Sequence, residues 1–107
     1  MQRLMSLLLK RAGYRVDVVA QGNQAIGLLD REEYDAILLD LMMPHEGGMT
    51  VIRHLRSNNP ALLRRTILVT GAPESLLQPM RGEIFGVLRK PFDATALMQI
   101  VERLTAG

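Results

Sequence analysis

Asp35-Ala36-Ile37-Leu38-Leu39-Asp40-Leu41 carries apolar side chains at consecutive positions, so both faces of a strand built from it would be buried. That pattern marks a strand inside a parallel sheet covered on two sides. Downstream, Thr66-Ile67-Leu68-Val69-Thr70 repeats it, and Ile84-Phe85-Gly86-Val87-Leu88 predicts a short last strand. Upstream, Tyr14-Arg15-Val16-Asp17-Val18-Val19-Ala20 is rich in β-branched residues and predicts a fourth strand.

Between these runs the apolar period changes to that of helices. Leu4, Leu7 and Leu8 share one face of a helix from Arg3 to Arg11, and Gly13 stands where a helix-ending glycine belongs. Asn23 is placed to cap a helix carrying Ala25, Ile26, Leu28 and Leu29. Met49, Val51, Ile52 and Leu55 predict the next, which Asn58-Asn59-Pro60 breaks. Glu74 to Arg81 predicts a weak helix, compromised by Pro79. Asp93 is a good N-cap for the last, which buries Leu97, Ile100, Val101 and Leu104.

Helices and strands therefore alternate, which defines an open, mainly parallel α/β sheet with helices on both faces. The series begins with a helix, although βα units begin with a strand. At 107 residues the chain is one domain's worth, with 48% apolar and 22% charged residues, the balance of a globule with a core. The absence of cysteine excludes disulfides, thiolate zinc sites and thiol nucleophiles. A net charge of +2, two Tyr, two Phe and no Trp argue against direct nucleic-acid binding. No apolar run reaches the ~18 residues of a membrane span, so a cytoplasmic location is expected.

In an open parallel sheet, ligands bind beyond the carboxyl ends of the strands. There the sequence places Asp40, Thr70 and Lys90. Each alone has a plain structural reading: a loop-capping carboxylate, a good strand residue, a solvated cation. Together they suit phosphoryl chemistry. The carboxylate can attack phosphorus, the ammonium can pair with phosphoryl oxygens, and the hydroxyl can donate to one of them. Met42 and Met43 are read as packing or loop residues, and His45 and His54 as solvated.

These residues resemble the receiver domain of two-component response regulators. Asp35 to Pro44, with Gly48 eight residues after Asp40, matches that family's phosphoacceptor strand and loop. Thr70-Gly71-Ala72 matches its switch hydroxyl, and Lys90-Pro91-Phe92 its closing signature. The resemblance implies a flavodoxin-like (CheY-like) fold over residues 1–107. It implies Asp40 as acceptor of a phosphoryl group from a histidine kinase or phosphotransfer protein, Thr70 as the switch and Lys90 as the phosphoryl's partner. It also implies a cis Lys90-Pro91 bond, a downstream protein target, and Mg²⁺ held by Asp40 and the backbone carbonyl of Met42. The oligomeric state stays open, a homodimer included.

Three departures stand against that pattern. The family's first strand ends in an acidic pair that helps to hold Mg²⁺, and here no acidic residue precedes Asp17. One carboxylate and one carbonyl make a poor magnesium site, so Mg²⁺ is doubtful and phosphoryl transfer should be slow or absent. Where the family has Tyr or Phe three residues before the lysine, this chain has Val87, with Phe85 nearby. The segment from Thr70 to Lys90 is short.

Without a first strand, the Val16 and Ile37 strands lose their common neighbour. Three expectations follow: the natural product starts upstream of Met1, the Val16 strand moves inward to pair with the Ile37 strand, or a partner chain fills the gap. A fourth, Met5 to Leu9 as the strand itself, conflicts with its helical spacing. The sequence thus reads as an N-terminally truncated receiver that is not an enzyme and carries no output domain. One alternative is a pseudo-receiver that docks a protein without phosphorylation. The other, an aspartyl-phosphate hydrolase of the haloacid dehalogenase kind, would need a second Asp where Met42 stands.

Overall fold

A computed structural model of the chain describes residues 2–41 and 47–106. Met42, Met43 and His45 lie outside the described residues. Three strands, β1 (Ile37–Asp40), β2 (Thr66–Thr70) and β3 (Gly86–Arg89), form a parallel sheet in the order β1-β2-β3. The register sets Asp40 beside Val69 and Thr70 beside Arg89.

Apolar alternation on both faces of the strands creates two cores. Leu39, Leu68 and Val87 face α2 (Gly22–Arg31), α3 (Gly47–Asn58) and the one-turn α4 (Pro60–Leu63) and α5 (Glu74–Leu77). Leu38, Ile67, Val69 and Leu88 face α1 (Gln2–Arg11) and α6 (Ala94–Ala106). A sheet buried on both sides is what consecutive apolar residues require.

Local chemistry explains most of the helix ends. Gly13 follows α1 at φ +99, a conformation that costs glycine no Cβ clash. Asp93 caps α6, its carboxylate accepting from the Ala96 amide at 2.8 Å. Asn59 ends α3 as expected and also caps α4, accepting from the Leu62 amide at 3.1 Å, with Pro60 at the first helical position. Pro79 falls in a 3₁₀ turn, Gln78–Met80, that follows the single turn of α5. The predicted cap at Asn23 does not form. Helix α2 starts two residues earlier than that cap would set, at Gly22, which packs so closely on Gly47 that a Cβ would lie 2.6 Å from the Gly47 carbonyl oxygen. The last strand lies two residues further on than its apolar run suggests, because pairing with β2 begins at Gly86.

The fourth predicted strand is corrected. Tyr14 to Val19 is not a strand of the sheet, and β1 is an edge strand. The inward move of Val16 to Val19 is therefore overturned. Met5 to Leu9 is helical, as its spacing requires. The Tyr14–Val19 segment is held by side chains instead of a ladder. Tyr14 Oη lies 3.1 Å from Thr105 Oγ1, and Tyr34 donates to Asp17 at 2.6 Å. That carboxylate, as acceptor, pushes the Tyr34 phenol up to about 12. Between the segment and β1 runs a groove of about 700 Å³, lined by Val16, Val19, Leu29, Leu38, Val69 and Val101 among others. The physical reason is plain: a β-rich run becomes a strand only beside a neighbour that completes its hydrogen bonds. Among the described residues, no helix is long and apolar enough to cross a membrane.

Candidate functional site

Parallel strands bring their carboxyl ends to one edge, and that edge gathers the three residues singled out in the sequence. Asp40 is the last residue of β1, Thr70 the last of β2, and Lys90 directly follows β3. The Lys90 amide donates to the Thr70 carbonyl at 3.0 Å, which carries the ladder one residue past the strand. From there the Lys90 side chain reaches across β2, and its Nζ donates to Asp40 Oδ2 at 2.7 Å. Both side chains are about one quarter exposed (24% and 25%), open enough for a small ligand to enter. The Lys90-Pro91 bond is cis, as expected.

Thr70 is wholly buried, and its hydroxyl accepts from the Ala72 amide at 3.0 Å. The structure thus joins Asp40 and Lys90 directly and sets Thr70 at the same edge with its oxygen tied to its own loop. A wall behind Asp40 comes from glycine. A Cβ on Gly48 would lie 2.8 Å from Leu41 Cα and 2.9 Å from the Asp40 carbonyl oxygen, so α3 begins directly against the end of β1.

Sequence reading passed over several residues around the site. Arg89 donates from Nη2 to the Ala72 carbonyl at 2.8 Å, and its Nη1 lies 3.7 Å from Glu74 Oε2. Arg81 grips the same carboxylate with its Nε and Nη2 and holds Glu74 below the usual carboxylate range. Arg89 differs from any exposed arginine only in standing next to Lys90, a signal too weak to read without the fold. His54, expected to be solvated, lies 3.0 Å from Asp30 and ties α3 to α2.

Among the described residues no group of three or more His, Asp or Glu could hold a metal ion, and the Asp40 carboxylate is engaged by Lys90. Magnesium favours several oxygen ligands in octahedral array. Among the described residues one ion-paired carboxylate falls short of that set, and the expected Met42 carbonyl lies outside them. What the arrangement offers is a nucleophilic oxygen beside a fixed cation at the mouth of a parallel sheet.

A helix-covered parallel sheet with a carboxylate, a hydroxyl and an ammonium at its carboxyl edge defines an open α/β domain with a polar site at the strand ends. Comparison with known proteins narrows this further. Residues 1–102 match the family model of the response regulator receiver domain, and the chain belongs to that family. It is 36% identical over 97 residues to the response regulator MprA of Mycolicibacterium vanbaalenii, covering 88% of this chain and 39% of that protein. It is 31% identical to the transcriptional regulatory protein TcrA of Mycobacterium tuberculosis, covering 98% and 42%. The chain therefore spans about two fifths of these relatives' length.

Among solved structures, the receiver domain of the sensor histidine kinase PA1611 from Pseudomonas aeruginosa aligns at 31% identity with a TM-score of 0.79. That alignment covers 99% of this chain and 88% of that one. The PA1611 structure has a magnesium ion coordinated in its active site cleft. A response regulator from Chloroflexus aurantiacus aligns at TM-score 0.84 and 24% identity, covering 99% and 88%, which supports the fold. The flavodoxin-like, CheY-like architecture expected from the sequence is the one found.

Proposed function

We propose that residues 1–107 act as a receiver unit that takes a phosphoryl group on Asp40 and passes the signal by a change of shape. The observation that carries this reading is the 2.7 Å contact between Lys90 Nζ and Asp40 Oδ2 at the carboxyl edge of the sheet. A phosphohistidine of a kinase or phosphotransfer protein is the donor. An Asp40 oxygen attacks phosphorus, the P–N bond breaks, and the imidazole leaves with its electron pair and takes up a proton. Lys90 then turns from the carboxylate to the phosphoryl oxygens, whose charge it pairs more strongly. Thr70 supplies a hydroxyl donor at the same edge.

The signal goes to a downstream protein, and the chain works by contact, turning over no substrate of its own. The poor fit to Mg²⁺ favours a second reading, a module that docks a protein without phosphorylation. Incubation with acetyl phosphate and Mg²⁺ followed by intact mass measurement separates them. The first reading predicts a gain of one phosphoryl group that Asp40→Asn abolishes. No gain in the wild-type chain leaves the second.

A further inference from the structure

Ala72 is held through both of its backbone polar groups, on the two peptide units that flank its Cα. Its N–H is held by the Thr70 hydroxyl at 3.0 Å and its C=O by Arg89 Nη2 at 2.8 Å. Thr70 and Arg89 face each other in the β2–β3 register, so the arginine side chain spans Gly71 from the neighbouring strand. The far end of the clamp is anchored too: Arg89 approaches Glu74, which Arg81 holds with a paired contact on α5 and its 3₁₀ extension. Gly71 is exposed, and a Cβ there would meet nothing closer than 4.0 Å, so this residue is free to act as the pivot.

We infer that Arg89 is a positioning residue that holds the Thr70–Ala72 loop in its resting form and so sets the threshold for an anion at Asp40 and Lys90. The inference rests on the phosphoryl-acceptor reading above. A Thr70 hydroxyl that swings toward an anion held by Lys90 either draws the Ala72 amide with it or stretches their 3.0 Å bond, so the loop has to yield. Arg89 opposes that by holding the other backbone group of the same residue, the Ala72 carbonyl. Its side chain is about half exposed (47%), so water competes and the restraint is a moderate one.

Arg89→Gln removes the charged donor, and Arg89→Lys retains one. Two readouts are required: amide exchange of Ala72 without any phosphoryl donor, and the beryllofluoride midpoint in excess Mg²⁺, followed by NMR. In Arg89→Gln, Ala72 exchange rises about threefold to tenfold and the beryllofluoride midpoint falls about twofold to fivefold, the range of an exposed charged hydrogen bond. Arg89→Lys restores most of both.

Unchanged Ala72 exchange in Arg89→Gln overturns the clamp. Faster exchange with an unchanged midpoint overturns its role as a threshold. If the wild-type chain shows no beryllofluoride response at all, the acceptor reading fails and the threshold with it, while Ala72 exchange still decides whether the clamp exists.

Discussion

Filling the groove beside β1 with a strand should stabilise the domain by an amount the structure allows to be worked out. The groove is about 700 Å³ and apolar along Val16, Val19, Leu38 and Val69. Its length suits about five residues of extended chain at ~3.3 Å each. Helix α1 ends beside Tyr14, which bonds Thr105 near the end of α6, so its first turn lies toward the edge where α6 begins and Asp40 sits. A parallel strand fused ahead of Met1 through a short turn can therefore enter the groove.

Each buried aliphatic side chain contributes roughly 1.5–3 kcal/mol, and ordering each residue costs about 1.5 kcal/mol. The surplus over five residues centres on ~4 kcal/mol, within a range of about 0–7.5 kcal/mol, before any gain from the two new ladders. Urea unfolding is the assay, and at ~1–3 kcal/mol/M the midpoint should rise by about 1 M or more. The amides of Val16 to Val19 should gain about 30-fold or greater protection, the factor equal to ~2 kcal/mol. A control insert of the same length with alternating Asp residues should do neither. Equal midpoints for the apolar and the acidic insert, or no new protection at Val16 to Val19, would refute the reasoning.

Other outcomes follow from single contacts. Gly48→Ala forces a methyl against Leu41 Cα and the Asp40 carbonyl, and should lower stability by ~1–3 kcal/mol in urea while shifting the amide resonance of Leu41. A double-mutant cycle with Asp40→Asn and Lys90→Met should return a coupling of about 1 kcal/mol, above the level of most exposed pairs, because both partners are three quarters buried. The Arg56 guanidinium holds Glu83 below the usual carboxylate range, so the folded state favours the charged form. The small stability this pair contributes is complete above the ordinary carboxylate value and is lost as pH falls through the lowered one. Arg56→Gln should therefore be slightly less stable than wild type at pH 7 and equal to it near pH 2, as thermal unfolding at both values would show.

The three strands that form were legible because their residues are apolar at consecutive positions, a pattern that needs no partner to be recognised. Tyr14 to Val19 looked the same in kind and failed for a non-local reason: among the described residues no strand lies between it and β1 to complete its hydrogen bonds. Asp40 and Lys90 could be paired from sequence because parallel strands end at one edge, even though they stand 50 positions apart. Arg89 and His54 could not. Their partners, the Ala72 carbonyl and Asp30, are set by loop and helix packing that leaves no periodic mark. The packing of Gly22 on Gly47 appears only in three dimensions.

The most direct test is an amide NMR titration of the unmodified chain with beryllofluoride and Mg²⁺. A shared anion site predicts that the Leu41, Thr70, Ala72 and Lys90 amides shift together along one saturation curve, and that Asp40→Asn removes the response. Shifts confined to other regions, or separate midpoints for the three strand ends, would contradict it.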